Sequence, residues 1–376
     1  MKIKITVSKN ELLTKLKAVS KVIKPSNLIQ EHNSFLFEVD SKLKVTGADE
    51  MGNITTYVDC VISEDANLSF LIDAKLLLDG LKELPEQPLI LDIDKSGESY
   101  LIKLLHQSGT YHFTSASSEG FSKVEVYDPE MTTIEMDAEL LISGVKKVYH
   151  FAGNDEIRPI LTSIHIESKK GKLSFVSTNT STMAVYECLP AFPFQDFDLI
   201  LPVKIAKIIA DLLPGEETIE LLITEKNVAV KTDNKAIHYR LLEGKYPNFR
   251  AIIPKGNDKI LNCGTDLIVS ALRRTSIFAN SNSRLVILKA ENSKLEILGQ
   301  DMDLQNSAND IISVDYPFKP IEIGFKSDFL LKCLETIDTE EVSLSLSDPS
   351  KACLISPVGE TGGQLTVLIM PMLVNL

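Results

Sequence analysis

Tryptophan is absent from this chain and aromatic residues make up only 6% of it. A surface that holds single strands by stacking bases on rings therefore has little to be made from. Cysteine is sparse: Cys60, Cys188, Cys263, Cys333 and Cys353 are scattered, odd in number and never spaced Cys-x-x-Cys. Neither a disulfide framework nor a zinc site is indicated, and reduced, packed thiols are expected. No run of about 18 apolar residues offers a membrane span. The opening MKIKITVSKNELL looks like a helix cap and lacks a signal peptide's apolar stretch, so a cytoplasmic location is expected.

Catalytic signatures are missing too. There is no G-x-x-x-x-G-K-[ST] phosphate loop, no H-E-x-x-H and no G-x-S-x-G, and the six histidines do not cluster at metal spacing. Asp301 and Asp303 could in principle hold a divalent ion, but two carboxylates on a polar turn are ordinarily solvated. No enzyme, cofactor or metal is expected. Positive charge is in deficit, with 39 Lys and Arg against 52 Asp and Glu and a net charge of −13. Spread uniformly, that balance repels phosphates, so where the cations lie matters more than their number.

What the chain does have is an internal repeat. On a helical wheel of Glu11 to Lys24, Leu12, Leu16, Val19 and Ile23 share one side, and Thr14, Lys17, Lys21 and Lys24 lie opposite. Ser143 with Lys146, and Ser270 with Arg273, repeat the pairing of Thr14 with Lys17, in steps of roughly 128 residues. A second helix recurs in each third: AKLLLDGLKEL from Ala74, VKIAKIIADLL from Val203 and SDFLLKCLETI from Ser327. Asp73 and Ser327 are predicted N-caps, Pro202 suits a first helical turn, and Pro85 and Pro214 stop their helices. Between the helices lie short β-favouring segments, including Leu89 to Ile93, Lys172 to Ser177 and Met302 to Ala308.

With 376 residues, length alone allows two or three cores, and the repeat selects three. The predicted fold is α+β: three similar domains over 1–128, 129–254 and 255–376, each with two helices packed side by side on antiparallel sheets. The helical segments carry a surplus of Lys and Arg although the chain is acidic. One basic helix face is ordinarily just solvated surface; three register-matched copies point to a lining for duplex phosphates, read without base specificity. The candidate contacts are Lys17, Lys21, Lys24, Lys75, Lys146, Lys147, His150, Lys204, Lys207, Arg273 and Arg274. Three units in one chain make an arc; closure needs a partner, and head-to-tail association of identical chains closes it if the rotation is right. Ile277 and Phe278, apolar at the polar end of the fifth helix, are packed under a loop or form the subunit seam.

The sequence resembles the bacterial sliding clamp family, the β subunit of DNA polymerase III. The likeness spans the chain through the threefold helix pattern, Arg158-Pro-Ile-Leu161, Val176-Ser-Thr178, Glu243-Gly-Lys-Tyr-Pro-Asn-Phe-Arg250, Ile253-Pro-Lys255 and the ending Ile369-Met-Pro-Met-Leu373. The resemblance implies a homodimeric, head-to-tail ring around duplex DNA, with no catalytic role. It also implies an apolar pocket that takes linear motifs from the polymerase catalytic subunit, the clamp loader and other replication and repair proteins. The matching pocket positions are Leu161, Thr178, Met183, Pro247, Ile252, Leu368, Met370 and Met372, and the seam positions are Phe113, Ile277 and Phe278. Methionine's adaptable shape suits a surface that accepts several related peptides. Two departures stand out: Thr178-Asn-Thr-Ser-Thr-Met183 lacks the family's Gly, His and Arg, and Ser26 stands where the family has a DNA-contacting arginine. The rival readings are a protein-interaction scaffold that never meets DNA and a carboxylate-using enzyme with an inter-domain cleft.

Overall fold

Each of the six α-helices among the described residues follows a strand with no intervening turn. The pairs are β1 (Lys2–Ser8) with α1 (Lys9–Ser20), β6 (Leu68–Asp73) with α2 (Ala74–Lys82), and β10 (Thr132–Asp137) with α3 (Ala138–Val148). They continue as β14 (Phe197–Pro202) with α4 (Val203–Leu212), β18 (Lys259–Gly264) with α5 (Thr265–Ser276), and β22 (Ile321–Lys326) with α6 (Ser327–Glu335). The computed structural model describes residues 2–24, 28–64, 67–96, 99–115, 118–126, 128, 131–155, 157–190 and 195–374. Ser26 lies outside them.

The sixfold strand-to-helix step was not predicted; the sequence reading found the helices and missed the strands feeding them. The first shows the physical reason for it. In β1, Ile3, Ile5 and Val7 are buried and the intervening residues exposed, and Ser8 ends the strand by accepting the Glu11 N–H at 3.3 Å as the helix cap. Asp73 caps α2 in the same way, accepting the Leu76 N–H at 2.7 Å. Ser327 does not cap: it is the first residue of α6, buried, and its N–H is taken by the Arg284 carbonyl at 2.8 Å.

The chain divides into two compact units, Met1–Glu139 with Ile208–Leu241, and Leu140–Lys207 with Leu242–Leu376. In the first, a five-stranded sheet runs β5 (Val61–Ile62), β1, β7 (Pro88–Ser96), β8 (Ser99–His106), β9 (Gly109–Ser115). An eight-stranded sheet runs β10, β15 (Thr218–Ile223), β16 (Asn227–Lys231), β17 (Lys235–Arg240), β4 (Gly52–Val58), β3 (Leu43–Ala48), β2 (Ser34–Val39), β6. In the second unit, eight strands run β14, β11 (Ser163–Lys169), β12 (Lys172–Thr178), β13 (Thr182–Cys188), β25 (Gly363–Ile369), β24 (Cys353–Pro357), β23 (Glu341–Leu346), β18. Four more run β21 (Asn306–Ser313), β20 (Lys294–Asp301), β19 (Leu285–Glu291), β22. Every pairing is antiparallel. Met302 to Ala308, predicted as one strand, is instead a turn leading into β21.

Each large sheet draws strands from two thirds of the sequence. β17 pairs with β4 with Ile237 opposite Ile54, and β13 pairs with β25 with Met183 opposite Leu368. The repeat is visible in packing as well as in order. A Cβ on Gly47 of β3 would lie 2.4 Å from the Val19 carbonyl oxygen of α1, and one on Gly299 of β20 would lie 2.0 Å from that of Thr275 of α5. In both places the helix rests on the sheet backbone, closer than any side chain would permit. The predicted apolar face of α1 is the buried one, with Leu12, Leu16 and Val19 all at 0% exposure. Each such side chain contributes about 1.5–3 kcal/mol on leaving water. No helix among the described residues is long and apolar enough to cross a membrane.

Candidate functional site

The candidate cations divide by whether an acid holds them. Lys17, Lys75 and Lys146 are exposed and make no ion pair among the described residues. Lys21 lies 3.0 Å from Asp211, Arg273 2.7 Å from Glu335 and Arg274 2.6 Å from Asp310. The two arginines thus part company, Arg273 reaching α6 and Arg274 reaching edge strand β21. Lys24 is bound to Glu50 at 2.6 Å and to the buried Asp49 at 3.5 Å; these bonds raise its pKa and hold the Glu50 carboxyl down at about 2. Asp49 in turn accepts the Met51 and Gly52 N–H groups and the Tyr239 hydroxyl. Lys24 therefore fastens the segment that follows α1 to the β3–β4 turn.

Lys147 behaves likewise. Burial disfavours its ammonium, but Asp338 at 2.9 Å and Glu360 at 3.0 Å outweigh that and leave its pKa raised. Lys204 and Lys207 are exposed on α4, and Lys207 sits 4.8 Å over the Tyr149 ring. His150 has its pKa lowered by desolvation and then by the charges of Lys332 and Lys207, so near neutral pH the ring is uncharged. Lys332 of α6, missed in the sequence because it stands among apolar neighbours, belongs to this cationic group.

The eight pocket candidates, seven of them apolar, divide by burial. Met183 and Leu368, cross-strand neighbours, are 3% exposed and pack in one cluster with Val176, Val185, Tyr246 and Phe249. Leu161 is also buried. Of the others, Ile252 is 52% and Met370 43% exposed, Pro247 is exposed, and Thr178 and Met372 are half-buried. The chain end is held at two points: the Met370 N–H donates to the Ser181 carbonyl at 2.9 Å, and the Met372 N–H to that of Gly324 at 2.8 Å. The candidates thus join a buried apolar cluster to exposed thioether and branched aliphatic side chains carried by Met370 and Ile252.

Beside that cluster, His165 stacks on Tyr246 at 4.6 Å and bonds Asp198 at 2.9 Å, while Arg250 lies over Phe249 and ion-pairs with Glu167. His165, Glu167 and Asp198 converge closely enough to suggest a metal site. The guanidinium already supplies Glu167 with its counter-charge. At the Asp301 turn, Asp301 Oδ1 accepts the N–H groups of Asp303 and Leu304 and the Asn280 amide, so this carboxylate shapes the turn.

Of the seam candidates, Ile277 is 78% and Phe278 43% exposed at the end of α5. Phe113 is different: on edge strand β9 its side chain is only 8% exposed, packed within its own subunit. That strand offers an open backbone edge more than an apolar side chain. Sequence reasoning missed Met302, Leu304 and Ile311, which are exposed on the β20–β21 hairpin and edge strand β21. The signal for Met302 and Leu304 was available in the run DMDL, an apolar pair on an otherwise polar turn.

Comparison with known proteins gives the same outline. Residues 3–119, 135–248 and 250–373 match the N-terminal, central and C-terminal domains of the DNA polymerase III beta subunit. The beta sliding clamp of Haemophilus influenzae is 25% identical over 371 residues, covering 98% of this chain and 99% of that protein. That of Pseudomonas putida is 26% identical, with the same coverage. The crystal structure of DNA polymerase III subunit beta from Pseudomonas aeruginosa superposes with a TM-score of 0.90 at 23% identity, covering 99% of this chain and 100% of that one. A second structure of that protein, bound to griselimycin, gives 0.91 at 22% identity and full coverage of both chains.

Proposed function

The chain belongs to the DNA polymerase III beta subunit family, the beta sliding clamps, and from that premise we propose how its parts are used. Two copies, each of three domains over 1–128, 129–254 and 255–376, join head to tail into a ring around duplex DNA. The helices line the hole. Exposed, unpaired Lys17, Lys75 and Lys146, with Lys204, Lys207 and Arg273, meet phosphates, and no contact reads a base. Such contacts are individually weak and screened by salt, so the ring slides, while closure prevents escape.

The seam forms where Ile277 and Phe278 of one subunit meet the β9 edge of the other. The pocket that includes Ile252 and Met370 takes linear motifs of the replicative polymerase, the clamp loader and other replication and repair proteins in the cytoplasm. Binding a polymerase there raises its effective concentration at the primer end without any chemistry by the clamp itself. The observation that carries this reading is the joint presence of exposed cations without ion pairs on repeated helices and of exposed Ile252 and Met370 in a chain whose matching positions Met183 and Leu368 are buried together.

Retention on DNA of different topology tests it. Loaded by a clamp loader and ATP, the protein should stay on nicked circular DNA through a high-salt wash and leave when the circle is linearised. Ile277→Asp with Phe278→Asp should sediment as a monomer and not be retained. Equal retention on linear and circular DNA would exclude encirclement, and a dimeric double variant would exclude this seam.

A further inference from the structure

A polar row crosses four strands of the second unit's larger sheet. Asp198 of β14 stands opposite Glu167 of β11, Glu167 opposite Ser174 of β12, and Ser174 opposite Glu187 of β13. Directly opposed residues of antiparallel strands share a face, so these four side chains lie in line on one surface. His165, two residues before Glu167 on the same strand, points to that face too. Its own cross-strand neighbours, Val176 and Ile200, pack with Tyr246 and Phe249, so the row continues a covered apolar core.

Burial of polar atoms is costly unless they are bonded, and here the bonding is incomplete. Ser174, His165 and Glu167 are 0%, 4% and 7% exposed. Among the described residues, Ser174 Oγ, His165 Nδ1 and Glu167 Oε1 have no hydrogen-bond partner. Arg250 meets Glu167 as an ion pair and reaches Glu187 at 3.9 Å, so the three carboxylates of the row face a single guanidinium, with Lys169 exposed beyond Asp198. One donor atom each from His165, Glu167 and Asp198 lies within 4.8 Å of the others. An imidazole with two carboxylates suits zinc and its first-row neighbours; calcium and magnesium prefer oxygen alone.

We propose that His165, Glu167 and Asp198 bind a divalent transition-metal ion of the zinc class, which displaces Arg250 from Glu167 and ties edge strand β14 to β11. Bonds of about 2.0–2.2 Å in a tetrahedral site set donors about 3.4 Å apart, and the exposed Asp198 side chain is free to close that distance. None of the three residues is a DNA-contact or pocket candidate, so the site stands or falls by itself. The sequence gave no metal spacing because Asp198 joins the other two only through the β14–β11 pairing.

The test titrates metal-free, full-length protein with Zn(II) by calorimetry and with Co(II) by visible absorption. A Cys60→Ser background removes the one thiol that is not buried. One equivalent of Zn(II) should bind with a Kd below about 10 μM and raise the thermal midpoint, and millimolar Mg(II) should do neither. His165→Gln and Asp198→Asn should each weaken binding at least about tenfold and bleach the Co(II) bands. Asp198 is exposed, so its variant keeps the fold even where a buried substitution fails. Arg250→Gln should tighten binding about threefold or more, because the ion no longer competes with the guanidinium. Absence of saturable binding, or equal affinity in wild type and Asp198→Asn, would overturn the site; unchanged affinity in Arg250→Gln would overturn the displacement of Arg250.

Discussion

Among the pocket candidates, Met183 and Leu368 lie side by side in the core while Ile252 and Met370 are exposed; on the helix faces, cations stand next to acids that hold about half of them. The first site is made by burial, so its buried part has one arrangement and every atom of it also stabilises the fold. The second is made by local surplus in an acidic chain, and the same residue type serves two ends. Lys24 and Lys147 brace the structure; Lys17, Lys75 and Lys146 are available to an outside partner. Residue type alone does not say which is which, whereas depth in the core largely does for the pocket.

Within the pocket, buried and exposed positions should therefore separate cleanly. Leu368→Ala opens a cavity between β13 and β25 and should cost about 2–5 kcal/mol of stability, read by denaturant unfolding. Met370→Ser, at an exposed position, should cost under about 0.5 kcal/mol yet lower peptide affinity at least tenfold. Equal stability losses in the two variants would mean that Met370 is simply more core.

The helix faces should separate in the same manner with smaller effects. Lys24→Ala removes the ammonium partner of Glu50, which keeps the Leu28 N–H, and one donor to Asp49, which keeps its bonds from Met51, Gly52 and Tyr239; a loss of about 1–2 kcal/mol follows, with the salt dependence of DNA binding unchanged. Lys146→Ala should leave stability alone and flatten the logarithmic salt slope by about 0.9. An unchanged slope for Lys146→Ala, or a reduced one for Lys24→Ala, would reverse the assignment.

The sequence made some of this legible and hid the rest for identifiable reasons. The amphipathic faces of the helices and the threefold repeat are local patterns, and they appear where expected. The strands leading into the helices were lost because Ser8 and Asp73 end a strand and cap a helix at once, leaving no turn residues to mark the change. Eight pocket positions were expected from family resemblance, but that Met183 and Leu368 are buried side by side follows from the pairing of β13 with β25, residues far apart in sequence. The acids that neutralise Lys24 and Lys147 were out of reach for the same reason: Glu50, Asp338 and Glu360 meet them only once the chain has folded.

The smallest effect concerns pH. Lys24, followed by the Glu50 and Leu28 backbone N–H groups, holds the Glu50 carboxyl at about 2, well below its ordinary 4.5. A carboxylate depressed in the folded state contributes stability in full above its unfolded pKa, and loses it as pH falls through the folded one. The stabilisation from this pair should thus be intact above about pH 4.5 and disappear on approach to pH 2. Lys24, raised from 10.5, loses its share only at strongly alkaline pH, so a broad plateau separates the two limbs. In Lys24→Met the acid limb should be shallower than in wild type between pH 4.5 and 2, because the main cause of the depression is gone, whereas Lys146→Met should follow the wild-type curve. Matching acid limbs for wild type and Lys24→Met would show that the ammonium is not what holds Glu50 down, and would move Lys24 from the bracing cations to the available ones.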